Sequence, residues 1–303
     1  MDIYDIAIIG SGPAGLTAGI YGSRSGLKCV VFEKMAVGGI PLITAEIENY
    51  PGVLKTSGFE LMSLMEKQCR ELGCEIITEE IFSIEKDGNI FIIKGKESYK
   101  AKSIIAATGS NWRKLEVPGE KELTGKGVSY CATCDGPFFR NEVIAVVGGG
   151  NTACEEALYL TKFANKVYII HRRDELRATK IIQKRLKEEP KIEMVWDSVV
   201  DKINGVDKVE SLTIRNKKTN SISELKVGGV FIFIGLIPNS KLFDGICDMD
   251  DRGFLLSKDD LSTNTPGLFV AGDVRNTPLR QVVTAASDGA IAAFSAEKFL
   301  AGH

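Results

Sequence analysis

The sequence predicts an α/β fold in which one three-layer domain is inserted into another. Two stretches, beginning at residues 4 and 142, share the same order of elements: a short apolar strand, a glycine-rich turn, a helix and a second strand. A further strand near the C-terminus, residues 267–273, ends in a glycine and an acid and is followed by a helix. The distance of this strand from the first stretch predicts that the second domain interrupts the first.

In the first stretch, the strand 4–9 leads directly into a G-x-G-x-x-G turn, and a second strand, 28–32, is followed by an acid. The first glycine permits the tight turn, the second lets the backbone approach a pyrophosphate at the helix N-terminus, and the third lets the helix pack on the strand. The acid can accept hydrogen bonds from a ribose diol. The alternative is a glycine turn that packs these elements without a ligand. The candidate contacts are Gly10, Gly12, Pro13, Ala14, Gly15 and Glu33.

The second stretch has the strand 142–147 and a triple-glycine turn, but its second strand is followed by a histidine and several arginines instead of an acid. A carboxylate there would repel a 2′-phosphate, whereas guanidinium groups bind one through charge-assisted, forked hydrogen bonds. The two stretches therefore fit two Rossmann-like nucleotide-binding domains, the first for FAD and the second for NADPH. The alternative interpretation of the arginines is a solvated surface. The candidate contacts are Gly148, Gly150, Asn151, Thr152, His171, Arg172, Arg173 and Arg177.

Turn residues indicate where the chain crosses between the domains. Pro118-Gly119 and Pro238-Asn239 mark turns close to the ends of the second stretch. We predict a discontinuous FAD-binding domain, residues 1–115 and 245–303, and an NADPH-binding domain, residues 116–244.

Composition excludes several classes of protein. The net charge of −2 and the pI of about 5.9 provide no basic stripe for nucleic acid or an anionic membrane. No apolar segment approaches the roughly 18 residues that a membrane span requires, and the N-terminus lacks the basic residues of a secretory signal. The seven cysteines are an odd number and are mostly isolated, which disfavours a secreted disulfide framework. We expect a cytoplasmic protein.

The single C-x-x-C pair, Cys131 and Cys134, is compatible with a zinc site, a structural disulfide or a redox-active disulfide. Structural zinc needs four ligands, usually as two closely spaced pairs. Cys69 and Cys74 are five positions apart and the sequence has only two histidines, so no second pair is available and we predict no metal site. A structural disulfide is unusual in a reducing cytoplasm. We interpret the remaining cysteines as small apolar residues.

Several motifs, spread in order along the chain, carry a resemblance to a known family. They are GSGPAG at 10–15, ENYPG at 48–52, ATG at 107–109, CATCDG at 131–136, GGGNTACEEA at 148–157, HRRDELRA at 171–178, GLIPNS at 235–240, AGDVRN at 271–276 and RQ at 280–281. With these motifs the chain resembles the low-molecular-weight, bacterial-type thioredoxin reductases over nearly its whole length. The resemblance implies FAD, NADPH, a redox disulfide in the NADPH domain, thioredoxin or a similar small protein as partner, and a homodimer. It also implies cofactor contacts at Asn49, Thr108, Gly109, Gly272, Asp273, Arg280 and Gln281.

The resemblance further implies a division of roles at the C-x-x-C pair. Cys134 would face the flavin, and Cys131 would attack the disulfide of the partner protein through a mixed-disulfide intermediate. Asp135 resembles the acid that protonates the departing thiolate, a role that requires burial to raise its pKa. The alternative for Asp135 is a turn residue. His171 could be taken for a general base, but its place at the end of a strand favours contact with the ribose or phosphate.

The chain departs from the family pattern at Ile40, which stands where a glutamine that contacts the flavin is expected. This departure keeps open a related flavin disulfide reductase that serves another small redox protein or draws on another electron donor. A nucleotide-binding redox sensor with slow turnover is a third hypothesis. For the reductase, we expect the inserted domain to rotate on its two connections, because its nicotinamide and its disulfide must in turn reach the same flavin.

Overall fold

The computed structural model describes residues 3–44 and 47–302 and divides into two compact units. Unit 1 consists of the outer segments of the chain, 1–111 and 237–303, and unit 2 of the segment between them, 112–236. Both crossings lie a few residues before the predicted ones. The reason at the second crossing is the burial of Phe243, whose ring is fully enclosed in the core of unit 1.

The secondary structure alternates between strands and helices in the order expected for an α/β protein. In the described residues the elements are β1 (Ile3–Ile9), α1 (Pro13–Arg24), β2 (Cys29–Glu33), α2 (Gly58–Glu71), β3 (Glu75–Thr78), β4 (Ser83–Asp87), β5 (Ile90–Lys94), β6 (Ser98–Ala106), β7 (Ser110–Trp112), β8 (Val128–Ser129), α3 (Ala132–Asp135), β9 (Val143–Val147), α4 (Asn151–Leu160), β10 (Lys166–Ile170), α5 (Lys180–Glu188), β11 (Ile192–Val195), β12 (Ser198–Asn204), β13 (Ser211–Asn216), β14 (Ile222–Lys226), β15 (Gly229–Ile232), β16 (Leu236–Pro238), β17 (Leu268–Val270) and α6 (Val282–Leu300).

Unit 1 is built on a sheet with the strand order β3-β2-β1-β6-β5-β4, and β17 pairs with the C-terminal end of β6. The strands β1, β2, β3, β6 and β17 run parallel, and β4 and β5 form an antiparallel hairpin beside β6. Side chains alternate between the two faces of β1. Ile6 and Ile8 pack with α1, α2 and α6, whereas Ala7 and Ile9 pack with Phe91 on the opposite face.

Unit 2 has three layers around a parallel sheet with the order β11-β10-β9-β15-β8. Ile144 and Val146 of β9 pack in the core that includes α4 and α5. Ala145 and Val147 face the opposite way, onto an antiparallel sheet made by β12, β13 and β14. Parallel sheets are buried on both faces, which explains why β9 and β10 read as continuous apolar runs. The predicted fold class, two Rossmann-like α/β domains with the second inserted into the first, is confirmed.

The segments that connect the units are themselves ordered, since β7 and β16 pair with each other. On the unit 1 side of this pair, the Thr108 hydroxyl donates to Asn239 O at 2.7 Å, and Asn239 N–H donates to Gly109 O at 3.0 Å. Between residues 3 and 44 and between 47 and 302, no helix is long and apolar enough to cross a membrane.

Candidate functional site

The glycine turn after β1 has the geometry that its sequence predicts. Gly10 has a φ of +105°, and its N–H donates to Phe32 O at 2.8 Å. A Cβ on Gly10 would lie 2.4 Å from Ala107 O, and one on Gly15 would lie 1.9 Å from Gly10 O, so both positions require glycine. A Cβ on Gly12, by contrast, would meet no described atom within 4 Å. The backbone at Gly12 is therefore open to a ligand.

The N-terminus of α1 begins at this open position. Gly12 is its N-cap, Pro13 is its first residue, and its first turn contains no acid and receives no hydrogen bond from a capping side chain. The first N–H groups of a helix have no partner within the helix, and the helix dipole adds partial positive charge there. This end of α1 therefore fits the pyrophosphate of a dinucleotide.

Glu33, which ends β2, is held beside the same turn. Its Oε2 accepts the Ser11 N–H at 3.1 Å and the Ser11 hydroxyl at 2.6 Å, and its Oε1 accepts the Met35 N–H at 3.0 Å. A carboxylate can accept about four hydrogen bonds, so these contacts orient Glu33 and leave capacity for one further donor such as a ribose hydroxyl.

Segments from two other parts of unit 1 reach the turn and the start of α1. The Cβ position of Gly10 lies 3.1 Å from Thr108 Cα, and that of Gly272 lies 2.9 Å from Ala14 Cβ in the first turn of α1. Near the N-terminus of α6, two further predicted contacts meet. The Asn49 amide donates to the Gln281 amide oxygen at 3.0 Å.

Asp273 and Arg280 are two charged residues of unit 1 with unusual surroundings. Burial raises the pKa of Asp273 to about 6, although the nearby Arg280 favours its charged form. The Arg280 guanidinium lies 4.5 Å from the centre of the Phe254 ring, and its buried Nε has no hydrogen-bond partner among the described residues. A perturbed acid and a buried donor without a partner are expected where a polar ligand completes the site. These residues therefore fit the flavin cofactor that the sequence predicts.

The segment that contains Ile40 passes beside the first glycine turn. Ile40 begins the short 3₁₀ helix Ile40–Ile43, directly after Gly39. The Cβ position of Gly39 lies 3.1 Å from Gly12 Cα. The departure from the family pattern thus falls next to the residues that line the open position at Gly12.

The second glycine turn, in unit 2, repeats the design of the first. Gly148 has a φ of +152°, and a Cβ there would lie 2.5 Å from Phe233 O. Gly150 is the N-cap of α4, without a capping side chain, and its Cβ position is open in the described structure. Asn151 and Thr152 are exposed in the first turn of the helix. The N-terminus of α4 therefore fits a second dinucleotide.

His171 lies underneath this turn. It is 5% exposed, and a Cβ on Gly149 would lie 2.3 Å from its ring. Burial lowers the pKa of His171, and Arg177 and its neighbours lower it further. Its Nε2 is buried and has no partner in the described part of the chain. A neutral, enclosed imidazole supports the turn, and the adjacent Arg177 N–H donates to Gly149 O at 2.8 Å.

Arg172, Arg173 and Arg177 are exposed beside the second turn. None of the three forms an ion pair with a carboxylate in the described structure. The acid nearest in sequence, Asp174, binds Lys218 at 2.8 Å instead. The three guanidinium groups therefore remain available to an anion, as a 2′-phosphate site requires.

The C-x-x-C pair forms a disulfide in unit 2, with the two Cα atoms 5.3 Å apart. Cys131 is the N-cap of the short helix α3, and its Sγ accepts the Cys134 N–H at 3.2 Å. Both cysteines are partly exposed, so the disulfide can be reached by a reaction partner.

Asp135 adjoins the disulfide and is held by a residue that sequence reasoning missed. The Ser129 hydroxyl donates to Asp135 Oδ2 at 2.6 Å and accepts the Cys131 N–H at 3.1 Å. Burial raises the pKa of Asp135, although the Ser129 bond favours its charged form. A carboxyl group with a raised pKa beside a disulfide can deliver a proton to a departing thiolate. The available signal was a small hydroxyl residue at the end of a strand, two positions before Cys131.

Tyr130, next to the disulfide, is fixed by the segment that enters unit 2. Its ring stacks on Trp112 with centres 5.2 Å apart, and its hydroxyl donates to the buried Glu120 at 2.7 Å. The same carboxylate accepts the N–H groups of Leu115 and Glu116 at 2.9 and 2.6 Å. No motif in the sequence indicated this arrangement. Tyr130, the residue before Cys131, is therefore linked through Glu120 to the backbone at the start of unit 2.

Comparisons with known proteins agree with this geometry. The family model described as pyridine nucleotide-disulphide oxidoreductase matches residues 4–289. The chain is 50% identical to the thioredoxin reductase of Peptoclostridium acidaminophilum, over 99% of this chain and 98% of that protein. The crystal structure of thioredoxin reductase from Streptococcus pyogenes MGAS5005 matches with a TM-score of 0.95 and 44% identity, over 99% of both chains.

A more distant structure carries a different electron donor in its name. The ferredoxin-flavin thioredoxin reductase from Clostridium acetobutylicum matches with a TM-score of 0.56 and 34% identity, over 100% of this chain and 99% of that chain. The resemblance that the motifs predicted is confirmed by the closer matches. The chain belongs to the thioredoxin reductases of the pyridine nucleotide-disulphide oxidoreductase family.

Proposed function

We propose that this protein is an NADPH-dependent thioredoxin-disulfide reductase that binds FAD in unit 1 and NADPH in unit 2. The observation that carries the proposal is the partly exposed Cys131–Cys134 disulfide beside the partly buried carboxyl group of Asp135, whose pKa is raised. Both lie in the same unit as a glycine turn whose neighbouring arginines have no carboxylate partner in the described chain.

FAD would be held at the open end of α1, with Glu33 on its ribose. The support for this assignment is the unpartnered Nε of Arg280, the raised pKa of Asp273 and the lack of a Cβ contact at Gly12. The full set of proposed contacts is Gly10, Gly12, Pro13, Ala14, Gly15, Glu33, Asn49, Thr108, Gly109, Gly272, Asp273, Arg280 and Gln281.

NADPH would be held at the N-terminus of α4, with its 2′-phosphate on Arg172, Arg173 and Arg177. A protein-borne donor such as ferredoxin needs no 2′-phosphate site, so the free guanidinium groups favour a nicotinamide donor. The remaining proposed contacts are Gly148, Gly150, Asn151, Thr152 and His171, the last of these from below the turn.

The protein's own groups account for the disulfide chemistry. When bound, NADPH supplies a hydride and FAD relays its two electrons. The Cys131–Cys134 bond takes up two electrons and opens to a dithiol. Cys131 then attacks the partner's disulfide, so that a Cys131–partner bond forms and a partner thiolate leaves. Cys134 displaces the second partner sulfur and restores the internal disulfide, while the Asp135 carboxyl group supplies a proton to a departing thiolate.

The rotation of unit 2 and the homodimer belong to the same proposal. Support for a second copy comes from apolar side chains exposed on α6: Phe294 is 53% exposed and Ile291 is 39% exposed. A reducing, cytoplasmic compartment is supported by the five buried cysteines that remain free thiols. Light scattering on the purified protein measures the oligomeric state. A monomer at all concentrations would contradict the proposed homodimer.

Steady-state turnover with several donors and acceptors tests the function. Purified, FAD-loaded protein should reduce thioredoxin rapidly with NADPH, slowly with NADH and not at all with reduced ferredoxin. A higher rate with ferredoxin, or with another small disulfide protein in place of thioredoxin, would replace this proposal by the related reductase considered above. A turnover number far below about 1 s⁻¹ with every acceptor would favour the redox sensor.

A further inference from the structure

A second pair of cysteines lies in unit 1, outside the C-x-x-C pair. Cys69, at the end of α2, and Cys74, just before β3, are both buried, with exposures of 0% and 4%. Cys29 of β2 belongs to the same apolar core. The sequence alone predicts that these three residues are small apolar side chains.

The backbone between Cys69 and Cys74 is a helix-ending turn that brings the two residues together. The Cys74 N–H donates to Cys69 O at 3.2 Å, and the Gly73 N–H donates to Arg70 O at 2.9 Å. Gly73 has a φ of +88°, so this is a Schellman motif, in which the residues at the positions of Cys69 and Cys74 usually make an apolar contact. Here both of those residues are thiols.

The sulfur atoms of the pair converge on α1. A Cβ placed on Gly19 would lie 2.7 Å from Cys69 Sγ and 2.9 Å from Cys74 Sγ. One turn further along, a Cβ on Gly22 would lie 2.6 Å from Cys29 Sγ. The absence of side chains at the two glycines creates the space that the thiols fill. The described residues contain no group of three or more His, Cys, Asp or Glu side chains arranged to hold a metal ion.

The two thiols of the pair are not equivalent. The neighbouring Cys69 thiol lowers the pKa of Cys74, whose own Sγ lies 3.7 Å from Glu75 O. The thiolate is the reactive form of cysteine toward oxidants. Cys154 and Cys247 provide a contrast, because burial raises the pKa of each to about 11 and neither has a second cysteine beside it in the described structure.

We propose that Cys69 and Cys74 form a second oxidisable dithiol, a modification site for small hydroperoxides that uses neither Cys131 nor Cys134. In the first step the Cys74 sulfur bonds to the terminal oxygen of the hydroperoxide, the O–O bond breaks, and an alcohol leaves. In the second step the Cys69 sulfur attacks Cys74, the S–S bond forms, the S–O bond breaks, and water leaves. Two thiols lose two electrons and two protons, and one hydroperoxide is reduced.

The backbone is already suited to the product. Disulfides join residues whose Cα atoms are about 4.4–6.8 Å apart. The hydrogen bond from the Cys74 N–H to Cys69 O is consistent with a separation in this range. Oxidation therefore ties the end of α2 to the start of β3 and leaves the glycine turn at Gly10 untouched.

Differential alkylation of the FAD-loaded, full-length protein tests the site. The protein is treated with hydrogen peroxide, denatured in the presence of an alkylating reagent, digested and analysed by mass spectrometry. We expect the peptides containing Cys69 and Cys74 to be linked by a disulfide, and their free thiols to disappear about tenfold faster than those of Cys154 and Cys247. In the Cys69→Ser variant, which keeps a hydroxyl donor beside Cys74 but removes the sulfur that closes the disulfide, Cys74 should instead be trapped as a sulfenic acid by dimedone.

Two results would overturn the proposal. If the Cys69 and Cys74 thiols disappear no faster than those of Cys154 and Cys247, burial alone sets the rate of their oxidation. A disulfide between Cys74 and Cys29 would show that the Schellman turn does not select the partner. Neither readout depends on NADPH, thioredoxin or catalytic turnover, so both remain informative if the proposed function is wrong.

Discussion

Replacement of Arg172 and Arg173 by glutamine should convert a strong preference for NADPH into near equality with NADH. The two guanidinium groups are exposed, and neither has a carboxylate partner in the described structure, so their removal breaks no ion pair within the protein. The groups would bind the 2′-phosphate, which NADH lacks. The loss should therefore fall on NADPH alone.

The magnitude follows from the exposure of the cluster. A hydrogen bond to a charged group contributes about 1.5–3 kcal/mol, and solvent places these two groups at the lower end of that range. Two such bonds give about 3 kcal/mol in total, and each 1.4 kcal/mol is a factor of ten, so the kcat/KM for NADPH should fall by about 100-fold. For NADH the change should stay within about threefold.

The assay is steady-state reduction of thioredoxin with each nucleotide at several salt concentrations. Arg185→Gln serves as the matched control, because Arg185 is also exposed in unit 2 but lies on α5 rather than at the turn. The control should leave both cofactors unchanged. Equal losses for NADPH and NADH in the double variant, or a loss of the same size in the control, would refute the assignment of the 2′-phosphate site.

Three further predictions concern other parts of the molecule. Cys131→Ser should retain FAD and its reduction by NADPH but lose thioredoxin turnover, and near wild-type turnover would contradict the proposed electron path. Asp135→Asn should slow disulfide reduction by about 10²–10⁴-fold; in the wild type the rate should fall as pH rises through the raised pKa of Asp135, and the same pH profile in the variant would assign it to another group. Gly289→Ala places a Cβ 2.1 Å from Ala14 O, so it should destabilise the protein by about 1–3 kcal/mol in thermal unfolding and weaken FAD binding. Ser287→Ala, on the exposed side of the same helix, is its control, and unchanged stability of Gly289→Ala would show that α6 adjusts without moving α1.

The sequence was most informative where backbone geometry restricts the residue type. Gly10 and Gly148 both adopt positive φ and both leave no room for a side chain, which is why the glycine motifs located both turns. The two thiols of the C-x-x-C pair were similarly clear, because their spacing brings them together within one helical turn.

Contacts between residues distant in sequence could not be predicted in the same way. Glu120 is buried because it satisfies two backbone N–H groups and the Tyr130 hydroxyl, and no local pattern encodes this set. The second crossing lies beside the turn residues Pro238-Asn239 and before the predicted boundary at 244/245, because Phe243 is buried in the core of unit 1. The antiparallel layer β12–β14 of unit 2 was not predicted, although Asn204-Gly205 is a turn signal at the end of β12.

The central claim is that electrons pass from NADPH to thioredoxin through this chain, and an anaerobic titration tests it most directly. Purified, FAD-loaded protein is titrated with NADPH while the absorbance of the oxidised flavin is recorded, and oxidised thioredoxin is then added. The account predicts that NADPH bleaches the flavin and that thioredoxin restores its absorbance while its own disulfide is reduced. A flavin that stays oxidised with excess NADPH, or that bleaches and is not restored by thioredoxin, would contradict it.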